Sequence, residues 1–138
     1  MTDYRTEVTP NAVTHVEDAA QSPLTLIDLT AAAAKIQQRY KNVVLVDVND
    51  HCVRMAVMEG EYRWHYHPHS DECFLVIEGR LEIDLDGGQT IQVNPGQAFN
   101  IPSRVIHRTR AKAPTVNLCF ENRLAYTDVV FVENPSNK

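Results

Sequence analysis

The sequence predicts an all-β protein, a small barrel or sandwich preceded by one short helix. Three observations carry this. From Asn42 onward, short runs rich in β-branched residues follow closely, among them "VVLVDVN", "HCVRMAVM", "ECFLVIEG", "TIQVNPG", "VIHRTRA" and "TVNLCFE". Gly, Pro, Asn and Asp punctuate them at the short intervals that turns between strands require. The run "LEIDLD" alternates strictly, with Leu81, Ile83 and Leu85 on one side and Glu82, Asp84 and Asp86 on the other.

The elements before the strands divide by composition. Residues 1–23 are polar, carry Pro10 and Pro23 and show no sustained period, so they are read as an N-terminal arm. Residues 24–41 form a strand and helix lead-in. "LTLIDL" reads as a short strand or extended segment, and "TAAAAKIQQRY" as a helix over 30–40. Thr30 or Asp28 can cap its start, the alanines favour helix, and Lys35, Arg39 and Lys41 suit its negative end. Residues 42–138 are then the β-barrel domain. Within it, Asp86-Gly87-Gly88 supplies a tight hairpin, because glycine tolerates the positive φ of such turns. "CFLVIEG" is apolar on both faces, which suits a strand covered on both sides by a second sheet or a second subunit. A homodimer is the expected assembly.

Charge and cysteine usage narrow the function classes. The 138 residues carry a net charge of −5, and no basic patch appears in the sequence order, so nucleic acid is not an expected partner. Arg104, Arg108, Arg110 and Lys112 are the densest basic cluster and read as the solvated face of one strand. No apolar run approaches the ~20 residues that span a bilayer, so no membrane partner is expected. The first residues show neither the basic nor the apolar region of a secretory signal. Cys52, Cys73 and Cys119 lie far apart with no C-x-x-C pair, as buried free thiols in a reducing compartment would. A cytoplasmic location is expected.

The chemistry concentrates in "WHYHPHSDE", residues 64–72. On a strand, side chains at alternate positions share a face, so His65 and His67 present two imidazoles side by side. Pro68 cannot donate to a sheet ladder, so the strand should end there and place His69 in a turn. An antiparallel return can then bring Glu72 back to the histidine face. The alternative set, His65, His67 and His69, needs the strand to continue through Pro68. "IPSRVIHRTR" offers His107 as a fourth group from elsewhere in the barrel. Imidazoles with a carboxylate suit one divalent transition metal, Fe, Mn, Zn or Ni. Parity puts Arg63 on the face of His65 and His67, where its guanidinium can grip a carboxylate or phosphate. Parity from Glu72 points Phe74 and Val76 inward as pocket walls. Arg54 shares a parity with Met58, and it too is a substrate-binding candidate. Glu121 and Tyr126 are placed near the barrel mouth. No further side chain stands out as a general acid or base.

The segment Gly60-x4-His65-x-His67-x4-Glu72-x6-Gly79 resembles the first motif of the cupin superfamily, and Gly96-x5-Pro102-x4-His107 resembles the second. The resemblance covers about residues 42–121 and is to the small single-domain bacterial monocupins. Arg104 stands where the second motif commonly has Gly. The resemblance implies a double-stranded β-helix, or jelly-roll barrel, with the metal held by His65, His67, Glu72 and His107. Four such ligands leave two positions of a six-coordinate ion open, unlike a closed structural site. That implies a metal-dependent enzyme, dioxygenase-like or isomerase-like, with its chemistry at the metal and a small organic molecule as substrate. The alternative is a non-catalytic protein that binds or senses a small molecule.

Overall fold

A computed structural model describes residues 22–135. The N-terminal arm expected over residues 1–23 lies almost wholly outside them. No strand forms over 24–29, and Leu24 and Leu26 are fully exposed. The helix α1 (Leu29–Ala34) starts where Asp28 accepts the Ala31 N–H at 3.0 Å and is shorter than the expected 30–40. It ends with the alanine run, capped at Lys35, and Tyr40 already belongs to a strand, paired with Met58 and buried.

The strands are β1 (Tyr40–Val48), β2 (His51–Glu61), β3 (His65–Tyr66), β4 (Glu72–Glu78), β5 (Leu81–Leu85), β6 (Thr90–Val93), β7 (Ala98–Ile101), β8 (His107–Asn122) and β9 (Val130–Phe131). A single turn of helix, α2 (Ala125–Asp128), separates the last two. All pairings are antiparallel, and the strands belong to one nine-stranded sheet. Among the described residues, no helix is long and apolar enough to cross a membrane.

The sheet is organised by β8. Along one edge it pairs with β2, from Arg110 to Asn122. Along the other it pairs first with β5, through residues 107–110, and then with β4, through residues 116–121. The sequence suggested two strands here, "VIHRTRA" and "TVNLCFE". They are one strand that carries Pro114 at an exposed position, where a missing N–H costs no buried bond. The ladder to β2 shifts register opposite this point, between Met58 and Gly60. Gly79 packs against the same place: a Cβ there would lie 2.5 Å from Thr115 Oγ1 and 2.7 Å from the Pro114 carbonyl, and its φ is +85°. The Thr115 hydroxyl instead accepts the Arg80 N–H at 3.2 Å.

The curled sheet is cupin-like, but it is an open half-barrel where the sequence suggested a closed jelly-roll. The strands β6 and β7 each hold one partner, β5 and β4, and do not pair with each other. The concave side holds a core of Met58, Phe74, Val76, Leu81, Ile83, Val93, Ile101 and Cys119. The convex side has its own cluster around Leu45, Met55, Val116 and Leu118, partly covered by Ile27, Leu29 and Ile36 of the lead-in. The strand β4 serves both, with Phe74 and Val76 inside and Leu75 and Ile77 outside.

The basic cluster also differs from expectation. Arg108 and Arg110 are not a solvated row. They reach across to β5 and bind Asp84 with nitrogen–oxygen distances of 2.8 and 2.7 Å. The strict alternation of β5 is correspondingly hidden, since Glu82 and Asp84 are buried beside Leu81 and Ile83.

Candidate metal centre

Three strands bring the site together. The ladder of β3 with β8 sets His65 directly opposite His107. The β4–β8 ladder sets Glu72, the first residue of β4, opposite Glu121. His67 follows the end of β3 and remains buried. Glu72, His65, His67 and His107 are all buried. Their polar atoms converge on one point: Glu72 Oε1 lies 3.0 Å from His107 Nε2, 3.3 Å from His67 Nε2 and 3.7 Å from His65 Nε2. The Nδ1 atoms all point away. His65 Nδ1 donates to the Arg63 carbonyl and His107 Nδ1 to the Val105 carbonyl, each at 2.8 Å. His67 Nδ1 donates to Asp128 Oδ1 at 2.7 Å.

These outer bonds decide the protonation of the rings. A carbonyl oxygen only accepts, so the protons of His65 and His107 sit on Nδ1. In the neutral rings, Nε2 is therefore a lone pair aimed at a carboxylate oxygen. Lone pairs facing a carboxylate repel unless a cation stands among them, so the donor set fits a metal ion. The buried groups also shift one another's protonation. Burial and the neighbouring His107 lower the His65 pKa. Burial alone would also lower that of His67, but Glu72, Asp128 and Glu121 outweigh it and the net shift is upward. Burial would raise the Glu72 pKa, yet His107, His65 and His67 hold it well below the usual carboxylate range.

Asp128 was not legible as part of the site. From α2, its second oxygen accepts the His69 N–H at 3.0 Å and the Ser70 hydroxyl at 3.3 Å, so one carboxylate orients His67 and pins the turn after it. His69 itself is exposed, with β3 ending at Tyr66, and it is not among the groups that converge.

A second cluster adjoins the first through Glu72, whose carboxylate groups with Cys119 and Glu121. Cys119 Sγ donates to Glu121 Oε1 at 3.1 Å. Burial, then Glu121 and Glu72, push the thiol well up from its ordinary pKa. Glu121 is raised to about 7 by burial and by Glu72. Arg54 offsets its charge: it is buried, lies 3.6 Å from Glu121 Oε2 and donates to Asn42 Oδ1 at 3.4 Å. Two groups of three are geometrically compatible with a metal ion, His65 with His67 and Glu72, and Glu72 with Cys119 and Glu121; His107 adjoins the first through its 3.0 Å contact with Glu72.

The sites open into a cavity of about 80 Å³. Phe74 lines it as read from parity, together with Met58, Tyr62, Asn117, Cys119 and Glu121. Val76 lies deeper, fully buried in the concave core. Arg54 meets the cavity through Glu121 and Asn42 rather than lining it. Arg63 lies elsewhere: its guanidinium stacks 4.0 Å from the centre of the Phe131 ring, and it borders a surface cleft with Trp64 and Arg108. Residues 62–64 are not in a strand, so alternation does not carry from His65 back to Arg63, and Tyr62 takes the inward place. Arg104 has the left-handed φ of 72° that its motif position usually gives to Gly, and its N–H donates to the His67 carbonyl at 2.8 Å.

Comparisons with known proteins agree with this geometry. The family model for the cupin domain, Cupin_2, matches residues 52–120. The uncharacterized protein YdbB of Bacillus subtilis is 44% identical over 108 residues, which are 78% of this chain and 95% of that protein. The crystal structure of a cupin-2 domain containing protein from Shewanella frigidimarina superposes with a TM-score of 0.68 at 31% identity, covering 71% of this chain and 95% of that one. A shorter likeness, 39% over 46 residues, is to quercetin 2,3-dioxygenase of Bacillus subtilis and spans 33% of this chain but only 13% of that enzyme. With its two motifs, its curled sheet and a family match that runs from β2 through most of β8, the chain belongs to the cupin family.

Proposed function

We propose that the protein is a metal-dependent cupin enzyme acting on a small organic molecule, with one Fe, Mn, Zn or Ni ion held by His65, His67, Glu72 and His107. The observation that carries this is the convergence of three Nε2 atoms on Glu72 Oε1 while the Nδ1 atoms are committed to outer acceptors. When bound, the ion supplies a Lewis acid with positions left open for exchangeable ligands. The chain's part is to fix the rings: Arg63 and Val105 carbonyls set two, and Asp128 sets the third. Met58, Tyr62 and Phe74 exclude bulk water from the cavity. The volume of about 80 Å³ limits the substrate to a few non-hydrogen atoms, since sites for drug-sized ligands are about 300–1,000 Å³.

The reaction belongs to the dioxygenase-like or isomerase-like classes. The short likeness to a dioxygenase supports the first. The apolar convex face, with Leu75, Ile77, Val53 and Val57 only partly covered, supports a homodimer built on it. The test is metal analysis of protein from metal-replete cells, then dioxygen-uptake and turnover screens with small hydroxy and keto acids. One transition metal per chain and turnover are expected. Protein without metal, together with His67→Ala that changes neither metal content nor Tm, would remove the metal reading. Tight binding without turnover would move the protein to the sensing class.

A further inference from the structure

The concave wall carries a buried acceptor that neither the metal centre nor the fold uses. Asn117 is 2% exposed and lines the cavity, two and four residues before Cys119 and Glu121 on β8. Its Oδ1 is buried without a hydrogen-bond partner. The neighbouring polar groups are matched to each other. Asn42 Nδ2 donates to the Tyr40 hydroxyl at 3.5 Å, Arg54 donates to Asn42 Oδ1, and the Cys119 thiol donates to Glu121. The Asn117 acceptor is left over, in a wall to which Ala56, Met58 and Phe74 contribute apolar surface.

A buried acceptor without a donor lowers stability, so an apolar residue of similar size would serve the fold better. An unsatisfied group in a cavity that holds the reactive centre is a group waiting for its donor. Resting on the metal reading above, we propose that Asn117 is the specificity-determining residue for the substrate: its Oδ1 accepts a hydrogen bond from a hydroxyl or amino group of a short molecule whose other end carries a metal-binding oxygen. The cavity of about 80 Å³ restricts this class to short hydroxy or amino acids and their like.

The test uses matched probes on the metal-loaded protein: glycolate against acetate, and 3-hydroxypropionate against propionate, titrated by calorimetry. In each pair the molecules differ by the one hydroxyl. At least one hydroxylated probe should bind about tenfold more tightly than its partner, the worth of one added hydrogen bond in a dry site. Asn117→Leu should abolish that preference, keep the metal and leave Tm unchanged or a few degrees higher. Asn117→Val provides the same comparison with less bulk. No preference in metal-loaded wild type, or a preference that survives in both variants, overturns the proposal. So does a fall in Tm with loss of metal in both variants, which would make Asn117 a structural residue. Wild type that holds no metal overturns the metal reading itself, and metal analysis of the same sample tells the two failures apart.

Discussion

Four consecutive residues of β8 serve two clusters of buried charge, and the two are built differently. His107 turns toward Glu72 and Thr109 lines the cavity, while Arg108 and Arg110 face β5 and the outside. On the outer side every oxygen of Asp84 has its donors: Oδ1 accepts from Thr90 at 2.7 Å and Arg110 at 3.1 Å, and Oδ2 from Arg108 at 2.8 Å and Arg110 at 2.7 Å. Glu82 completes the set against Arg110 at 2.9 Å. On the inner side, Glu72 faces three ring nitrogens whose protons are committed elsewhere. The outer cluster pairs its charges within the protein, and the inner one is a donor set that fits a cation. Burial of charge therefore does not by itself mark a functional site. Carboxylate and ring nitrogens gathered with their protons turned outward are the more telling arrangement.

The contrast gives predictions of decreasing size. Glu72→Gln or His107→Ala should strip the metal from the protein after dialysis, while Asp84→Asn should leave metal content unchanged, both read by elemental analysis. Asp128→Asn should keep the fold but weaken metal binding by about 10–100-fold in a competition titration with a chelator, because His67 loses its anionic acceptor. Asp84→Asn should cost about 1–2 kcal/mol of stability in denaturant titration, allowing for solvent screening of the pair. That figure follows from its pKa: burial would raise it, but Arg110, Thr90 and Arg108 hold it down at about 2, below the ordinary 3.8. The sign follows from the depression. The stabilisation is complete above the unfolded value, and it is lost as pH falls toward about 2. Wild type and Asp84→Asn should therefore differ at neutral pH and converge in strong acid. Arg63→Ala should lose its stack on Phe131, worth about 0.5–1 kcal/mol, and leave metal content unchanged. A loss of substrate affinity in that variant would restore Arg63 to the site.

The sequence made some of this legible and hid the rest for physical reasons. Alternate histidines, a proline stop and a returning carboxylate are local signals, and the groups they name do converge with His107. Arg63 was misplaced by the same rule, because the backbone leaves the strand between Glu61 and His65. Asn117, Cys119 and Glu121 share the parity of His107, so one continuous strand would have put them in the cavity at once. Pro114 concealed that continuity by looking like a break. Asp128 left no trace in the spacing, since its role depends on a single helical turn returning to a residue 61 positions earlier. The closed jelly-roll came from the family resemblance, which says nothing about whether β6 and β7 meet in this chain.

The bond between His67 and Asp128 stitches two distant lengths of chain at the metal centre. The same carboxylate holds the backbone of His69 and the hydroxyl of Ser70, and α2 leads directly into β9, which pairs with β3 beside His65. Under the metal reading proposed above, retaining an ion and keeping α2 and β9 docked become one task. In hydrogen exchange, amides of α2 and β9 should slow when the ion binds and quicken when a chelator removes it, making the end of the chain a gauge of whether the centre is filled.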